Sequence, residues 1–180
     1  MIQRWKRSVT VAQEHETLAY FEGEWQTETQ LFASGHDQAP IHTRGEAIGE
    51  RLFGGRFLQM LYRGTTAVPA GPGAFDLVEA EGLHTLGFDT YRNLFVGTWI
   101  DSLSTSLIHF TGTLCDDGDQ QVLNLYGQQD EPMMGIVGRA VKYVYRLRDE
   151  SRFDFELYDL VGCTDHLLLK MAYTRTPDAP

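Results

Sequence analysis

The strongest constraint on the fold is a two-residue alternation of side-chain character that begins after Gly23. Trp25, Thr27, Thr29 and Leu31 alternate with polar residues, as expected for a strand with one buried and one solvated face. Strand-like runs follow, separated by turn-forming residues, at about 41–52, 56–66, 83–88, 94–100, 106–114, 122–128, 136–147, 153–160 and 166–174. The sequence therefore predicts about ten strands between residues 24 and 175.

The connections between these runs are mostly short, so strands that are consecutive along the chain should pair antiparallel as a meander. Asp117-Gly118 is a hairpin signal of this kind, because a type I′ turn needs positive φ angles. About ten twisted strands close most easily into a barrel, which removes unpaired edges. We predict an all-β, about ten-stranded antiparallel meander barrel in a single domain over residues 1–180. A two-sheet sandwich is the alternative.

Two segments depart from the strand pattern. Thr10 and Gln13 have capping-box spacing, and Val11, Leu18 and Phe21 fall on or near one helical face before Gly23. This spacing predicts a short N-terminal helix over about 11–22. The segment 68–73, rich in Pro and Gly, is predicted to be a flexible loop over the barrel mouth.

Charge and composition limit the partners of the chain. Its 180 residues carry a net charge of −10, which argues against nucleic acid and against an anionic membrane surface. No apolar run approaches the length of a membrane span, and no signal peptide is expected. Cys115 and Cys163 stand apart and are expected to be thiols of a reducing compartment, although a disulfide between them stays open. We therefore expect a cytoplasmic protein. A homodimer is compatible with the sequence, which reveals no interface.

Several short motifs occur in an order that resembles a known family. They are Gly23-Glu24-Trp25, Gly54-Gly55-Arg56-Phe57-Leu58, Leu86-Gly87-Phe88-Asp89, Thr98-Trp99-Ile100-Asp101-Ser102 and Tyr173-Thr174-Arg175. Together they resemble the bacterial domain of unknown function 1579 over about residues 14–175. The resemblance implies a calycin-like barrel, related to the lipocalins, the fatty-acid-binding proteins and the nitrobindin-like proteins. The family assigns no reaction, so it transfers no catalytic residue.

The leading functional hypothesis is a barrel that binds a small molecule. Aromatic side chains would line its interior, and the molecule would be hydrophobic or amphipathic, with an anionic group as one option. The predicted wall residues are Trp25, Tyr62, Trp99, Tyr126 and Tyr143. Arg56 shares a strand face with Tyr62 and would contact an anionic head group if that face points inward. An internal Arg–Asp pair that serves only the fold is the alternative for Arg56.

The strand after Gly138 separates two kinds of side chain. Tyr143 and Tyr145 fall on the face expected to look inward. Arg146 and Arg148 fall on the other face, which is expected to be an outer wall that pairs with the acidic residues of the next strand.

A small barrel enzyme is the second hypothesis. Asp101 lies two residues after Trp99 and on the same strand face, where burial would raise its pKa and make it a general base. Arg56 and Tyr62 would then stabilise an oxyanion in an isomerase, cyclase or hydratase. The alternative is that Asp101 only begins a turn.

Haem is the third hypothesis, because nitrobindin-like barrels bind it through one histidine. None of the six histidines has the spacing of a metal motif, and none is singled out as a haem ligand. The sequence predicts no metal site and no required cofactor.

Overall fold

The computed structural model describes residues 2–32, 39–132, 135–160 and 164–177. Its ten strands are β1 (Gly23–Leu31), β2 (Ile41–Leu52), β3 (Phe57–Gly71), β4 (Ala74–Asp89), β5 (Leu94–Asp101), β6 (Ile108–Asp117), β7 (Gln120–Glu131), β8 (Ile136–Asp149), β9 (Arg152–Asp159) and β10 (His166–Arg175). The predicted strands therefore match the observed ones in number and order.

Each strand pairs antiparallel with its neighbours along the chain, and β1 also pairs with β10. On β1, Trp25 lies opposite Ala47 of β2 on one side and Arg175 of β10 on the other. The sheet is therefore a closed barrel, which confirms the predicted fold class and excludes the sandwich.

Helical structure precedes the barrel. A 3₁₀ turn (Gln13–His15) runs into the single helical turn α2 (Glu16–Ala19), both within the predicted range 11–22. A further helix, α1 (Ile2–Val9), was not predicted. The short N-terminal helix is thus confirmed, but the helical residues Gln13–Ala19 cover less than the expected range 11–22. Of the predicted face, Leu18 and Phe21 are buried, whereas Val11 is 37% exposed.

The prediction of a loop over 68–73 is wrong. Most of this segment continues β3, where Val68 pairs with Asp76 and Pro69 with Phe75 on β4. The pairing of β3 with β2 stops at Gly64, so beyond this point β3 and β4 form a two-stranded ribbon whose outer edges pair with no other described strand. A proline is tolerated on such an edge because no neighbouring strand needs its missing N–H.

The hairpin predicted at Asp117-Gly118 is present, with a turn of a different type. Asp117 pairs with Gln120, so Gly118 and Asp119 form the two-residue loop. Only Gly118 has a positive φ angle, at 65°, as in a type II′ turn.

The outer wall pairs as the sequence indicated. Arg146 contacts Glu156 at 3.0 Å, and Arg148 contacts Asp154 at 2.8 Å. These contacts join β8 to β9 across the barrel surface.

One end of the barrel is filled by a packed aromatic core. Phe21 inserts beside Trp25 and Phe153, and all three are at most 1% exposed. The Trp25 indole donates to the carbonyl oxygen of Phe21 at 3.1 Å. The Arg175 guanidinium lies 4.2 Å from the centre of the Trp25 ring. The motifs Gly23-Glu24-Trp25 and Tyr173-Thr174-Arg175 therefore meet at this end, where β1 pairs with β10 and closes the barrel.

Cys115 is a free, exposed thiol, whereas Cys163 lies outside the described residues. Among the described residues, no helix combines the length and the apolar character needed to cross a membrane.

Candidate functional site

The other end of the barrel contains a cavity of about 260 Å³. Each of the ten strands contributes at least one residue to its wall. The wall is mainly apolar and aromatic; its rings include Tyr62, His84, Trp99, Phe110, Tyr143, Tyr145, Phe155 and Tyr173. Such a concave, largely apolar space with a few polar groups is the usual form of a small-molecule site.

His84, on β4, is a buried polar residue of the wall. It is 4% exposed, and burial lowers its pKa to about 4, so the imidazole is neutral at pH 7. Its ring lies parallel to that of Tyr145, with centroids 5.6 Å apart, and Nδ1 is 3.4 Å from the Tyr145 hydroxyl. Nε2 is buried and has no hydrogen-bond partner among the described residues. His84 therefore keeps one unused hydrogen-bonding position.

Trp99 and Asp101 lie together in the wall at the end of β5. The Trp99 indole donates to Asp101 Oδ2 at 2.8 Å. Asp101 Oδ1 accepts from the backbone N–H groups of Leu103 and Ser104, both at 2.9 Å. The contacts to Leu103 and Ser104 place Asp101 at the start of a turn, which is the alternative to a general base. The contact to Trp99 orients the indole.

The absence of a side chain at Gly82 leaves room for the Trp99 ring. A Cβ atom on Gly82 would lie 2.1 Å from Cη2 of Trp99. The indole therefore packs directly on the backbone of β4, and a larger residue at this position would push it into the cavity.

Two predicted tyrosines also line the cavity. Tyr62 packs on Gly64: a Cβ atom added to Gly64 would lie 2.5 Å from the Tyr62 hydroxyl oxygen. The Tyr143 hydroxyl lies 3.4 Å from Gln129 Oε1. Burial raises the pKa of both tyrosines, and the charge of Asp101 raises that of Tyr143 further. Both hydroxyls are therefore neutral hydrogen-bonding groups at pH 7.

Arg56 lies outside the cavity. It lies in the turn just before β3 and donates to the carbonyl oxygens of Phe53 at 2.8 Å and Val9 at 2.9 Å. These contacts connect α1 to the β2–β3 turn. Arg56 is not one of the wall residues, whereas an anchor for a ligand in this cavity would have to be one.

Trp25 and Tyr126 are also separate from the cavity. Trp25 belongs to the packed end of the barrel. Tyr126 is 50% exposed, because β7 points Leu123 and Leu125 inward. The interpretation of Tyr126 as a polar group inside the barrel is therefore corrected. Of the predicted site residues, the structure brings together Tyr62, Trp99, Asp101 and Tyr143.

Comparison with known proteins places the chain in a family. The family model described as "Protein of unknown function (DUF1579)" matches residues 10–175. The chain belongs to this family. The crystal structure of Rv2717c from M. tuberculosis is similar, with a TM-score of 0.64 and 17% sequence identity over 93% of this chain and 100% of that one. A similarity at 17% identity supports a shared fold, and it does not support a shared function or ligand. No curated protein matches.

Sequence reasoning missed His84 as a site residue. The signal was its place in the alternation, since His84 shares a face of β4 with Gly82 and Leu86, both of which are buried. That face could be assigned to the interior only once the pairing of β4 with β3 and β5 was known.

The cavity does not fit haem. A porphyrin is a rigid macrocycle far larger than a space of about 260 Å³. The His84 ring is also packed against Tyr145 and against Phe110, with centroids 5.6 and 5.2 Å away.

Proposed function

We propose that this protein binds a small, largely apolar molecule in the barrel cavity. The observation that carries the proposal is the buried His84, whose Nε2 lacks a partner in the wall of an otherwise mostly apolar space. A ligand with one hydrogen-bonding group would match both features.

Energetic considerations support a bound molecule. Protein interiors are close-packed and contain few large voids. A buried polar atom without a partner costs about 1–3 kcal/mol. The neutral imidazole has one donor and one acceptor, so a ligand hydroxyl can pair with whichever of the two Nε2 offers.

The size of the cavity limits the ligand. Pockets for drug-sized molecules measure roughly 300–1,000 Å³. The volume of about 260 Å³ lies just below that range. We therefore expect a molecule with one or two rings, held among the aromatic side chains by offset or edge contacts.

The test uses tryptophan fluorescence, because the three tryptophans differ in position. Trp99 lines the cavity, Trp25 is buried at the packed end, and Trp5 of α1 is 64% exposed. We expect para-nitrobenzyl alcohol, a small neutral quencher, to reduce the emission of Trp99 saturably. Saturable quenching should be absent in Trp99→Phe and retained in the control Trp5→Phe. Quenching that never saturates, or that persists in Trp99→Phe, would contradict the proposal.

A further inference from the structure

The charges around the cavity distinguish between classes of ligand. Its wall contains no lysine or arginine among the described residues. The internal stretches outside them, 33–38, 133–134 and 161–163, also contain neither residue. Two acidic residues belong to the wall, Asp101 and Glu81. Glu81 points largely into solvent, with its side chain 61% exposed and 3.0 Å from Arg63. Asp101 is therefore the charged side chain left to act on a ligand.

The inward-facing cation next to this region is already neutralised. Arg139 shares the inner face of β8 with Val141 and Tyr143, and it forms a buried ion pair with Asp159 of β9. The two side chains are 13% and 6% exposed. Since Asp159 balances Arg139, this ion pair presents no net positive charge to a ligand in the cavity.

The buried polar groups of the wall do not supply a positive charge either. His84 is neutral at pH 7 because burial lowers its pKa to about 4. The Tyr62 and Tyr143 hydroxyls are neutral as well. These three wall residues therefore offer hydrogen bonds without charge.

An anionic ligand would lose its hydration on entry and gain no opposite charge, which is strongly unfavourable. An ammonium group would meet an Asp101 carboxylate that already accepts hydrogen bonds from Trp99, Leu103 and Ser104. We infer that the cavity selects an uncharged, ring-bearing molecule with a hydroxyl or similar group, and that it rejects the corresponding carboxylate. This inference rests on the proposed function. It replaces the anionic ligand that Arg56 suggested from the sequence.

The experiment compares three probes with the same ring: para-nitrobenzyl alcohol, para-nitrobenzoate and para-nitrobenzylamine. Isothermal titration calorimetry at pH 7.5 measures each Kd on the full chain. We expect the alcohol to bind at least tenfold more tightly than the carboxylate, and more tightly than the amine. Competition between the probes establishes that they share one site.

Ala80→Phe tests whether binding occurs in the cavity. Ala80 is a buried wall residue, so the added ring should occupy the space and weaken binding of the alcohol at least tenfold. Ala172→Phe is the matched control. Ala172 lies on β10 between the buried residues Met171 and Tyr173 and faces outward, so this variant should bind like the wild type.

A designed cation tests the charge argument itself. Gln129 lines the cavity, and Gln128 is its exposed neighbour on the opposite face of β7. Gln129→Lys should reduce the preference for alcohol over carboxylate at least fivefold, whereas Gln128→Lys should leave it unchanged. Urea unfolding establishes that both variants are folded.

The outcomes separate the two claims. If none of the probes binds, both the proposed function and this inference are contradicted. If the probes bind but the carboxylate or the amine is equal to the alcohol or tighter, the inference fails and the proposed function stands. Tight carboxylate binding that disappears in Arg139→Gln would assign an anion site to Arg139 instead.

Discussion

At the scale of single residues, His84 shows how burial determines chemistry. Its ring stacks on Tyr145 and packs against Phe110, and it is 4% exposed. An imidazole in this environment stays neutral well below its ordinary pKa. It can therefore act as a neutral hydrogen-bonding group for a ligand, and it also makes stability depend on pH.

The pH dependence has a definite sign. In the unfolded chain His84 takes up a proton below pH 6.5, whereas in the folded protein it does so only below about pH 4. The unfolded state therefore binds more protons between these values, and stability falls as the pH is lowered through this window. We expect His84 to account for a loss of up to about 3 kcal/mol, since each pKa unit corresponds to about 1.4 kcal/mol.

Urea unfolding between pH 7 and pH 4 measures this contribution. His84→Gln should remove it and flatten the pH profile, even if the variant is less stable at pH 7. The control is His109→Gln, because His109 is exposed and should leave the profile as in the wild type. Equal slopes for His84→Gln and the wild type would show that His84 is not protonated as we describe.

The predicted site residues that lie outside the cavity do so for different reasons. Arg56 lies in the turn before β3, Trp25 faces inward at the packed end, and Tyr126 faces outward. Alternation identifies which side chains lie on one strand face, but it does not say which face is inside. Tyr62, Trp99 and Tyr143 were assigned to the interior face, and they line the cavity. On β7, polar Tyr126 resembled a group in a barrel lumen, whereas pairing with β6 and β8 turns Leu123 and Leu125 inward.

At the scale of elements, the strands could be predicted well because turns and alternation are local signals. The ribbon of β3 and β4 could not, since Pro69, Gly71 and Gly73 made its composition resemble a loop. Whether this segment can be a strand depends on which strands pair with β3, and the local sequence does not show that pairing. Beyond Gly64 no described strand pairs with the outer edge of β3, so Pro69 breaks no ladder there. Thr66 and Ala80, at the base of this ribbon, belong to the cavity wall.

Arg175 connects the barrel strands to the helical segment, and we call its set of contacts the Arg175 clamp. Its guanidinium lies over Trp25 and donates to the carbonyl oxygens of Tyr20, Glu22 and Glu150. We expect Arg175→Lys to lower the free energy of unfolding by about 2–3 kcal/mol, because an ammonium cannot reproduce the planar set of contacts.

The same substitution at Arg44 is the control for this prediction. Arg44 pairs with Glu28 on the surface, with side chains 84% and 73% exposed. Exposed pairs of this kind contribute at most about 1 kcal/mol, so Arg44→Lys should change stability little. A loss at position 175 no larger than that at position 44, measured by urea unfolding, would contradict the role of the clamp.

At the scale of the whole molecule, the two ends of the barrel differ in how they are filled. Phe21, Trp25 and Phe153 pack one end and are among the largest fully buried side chains. The other end contains a cavity that the described residues leave unfilled, with His84 in its wall. Most of the family motifs lie away from the cavity, whereas one of them contributes Trp99 and Asp101 to its wall.

Methionine methyl NMR tests the central claim, that a neutral molecule occupies this cavity, most directly. Of the five methionines, Met60 and Met171 line the cavity. Their ¹³C-methyl signals can be assigned with Met60→Leu and Met171→Leu. We predict that para-nitrobenzyl alcohol shifts both signals saturably, by the ring current of the bound molecule, and that Ala80→Phe abolishes the shifts. Unchanged Met60 and Met171 signals at saturating probe would contradict the account.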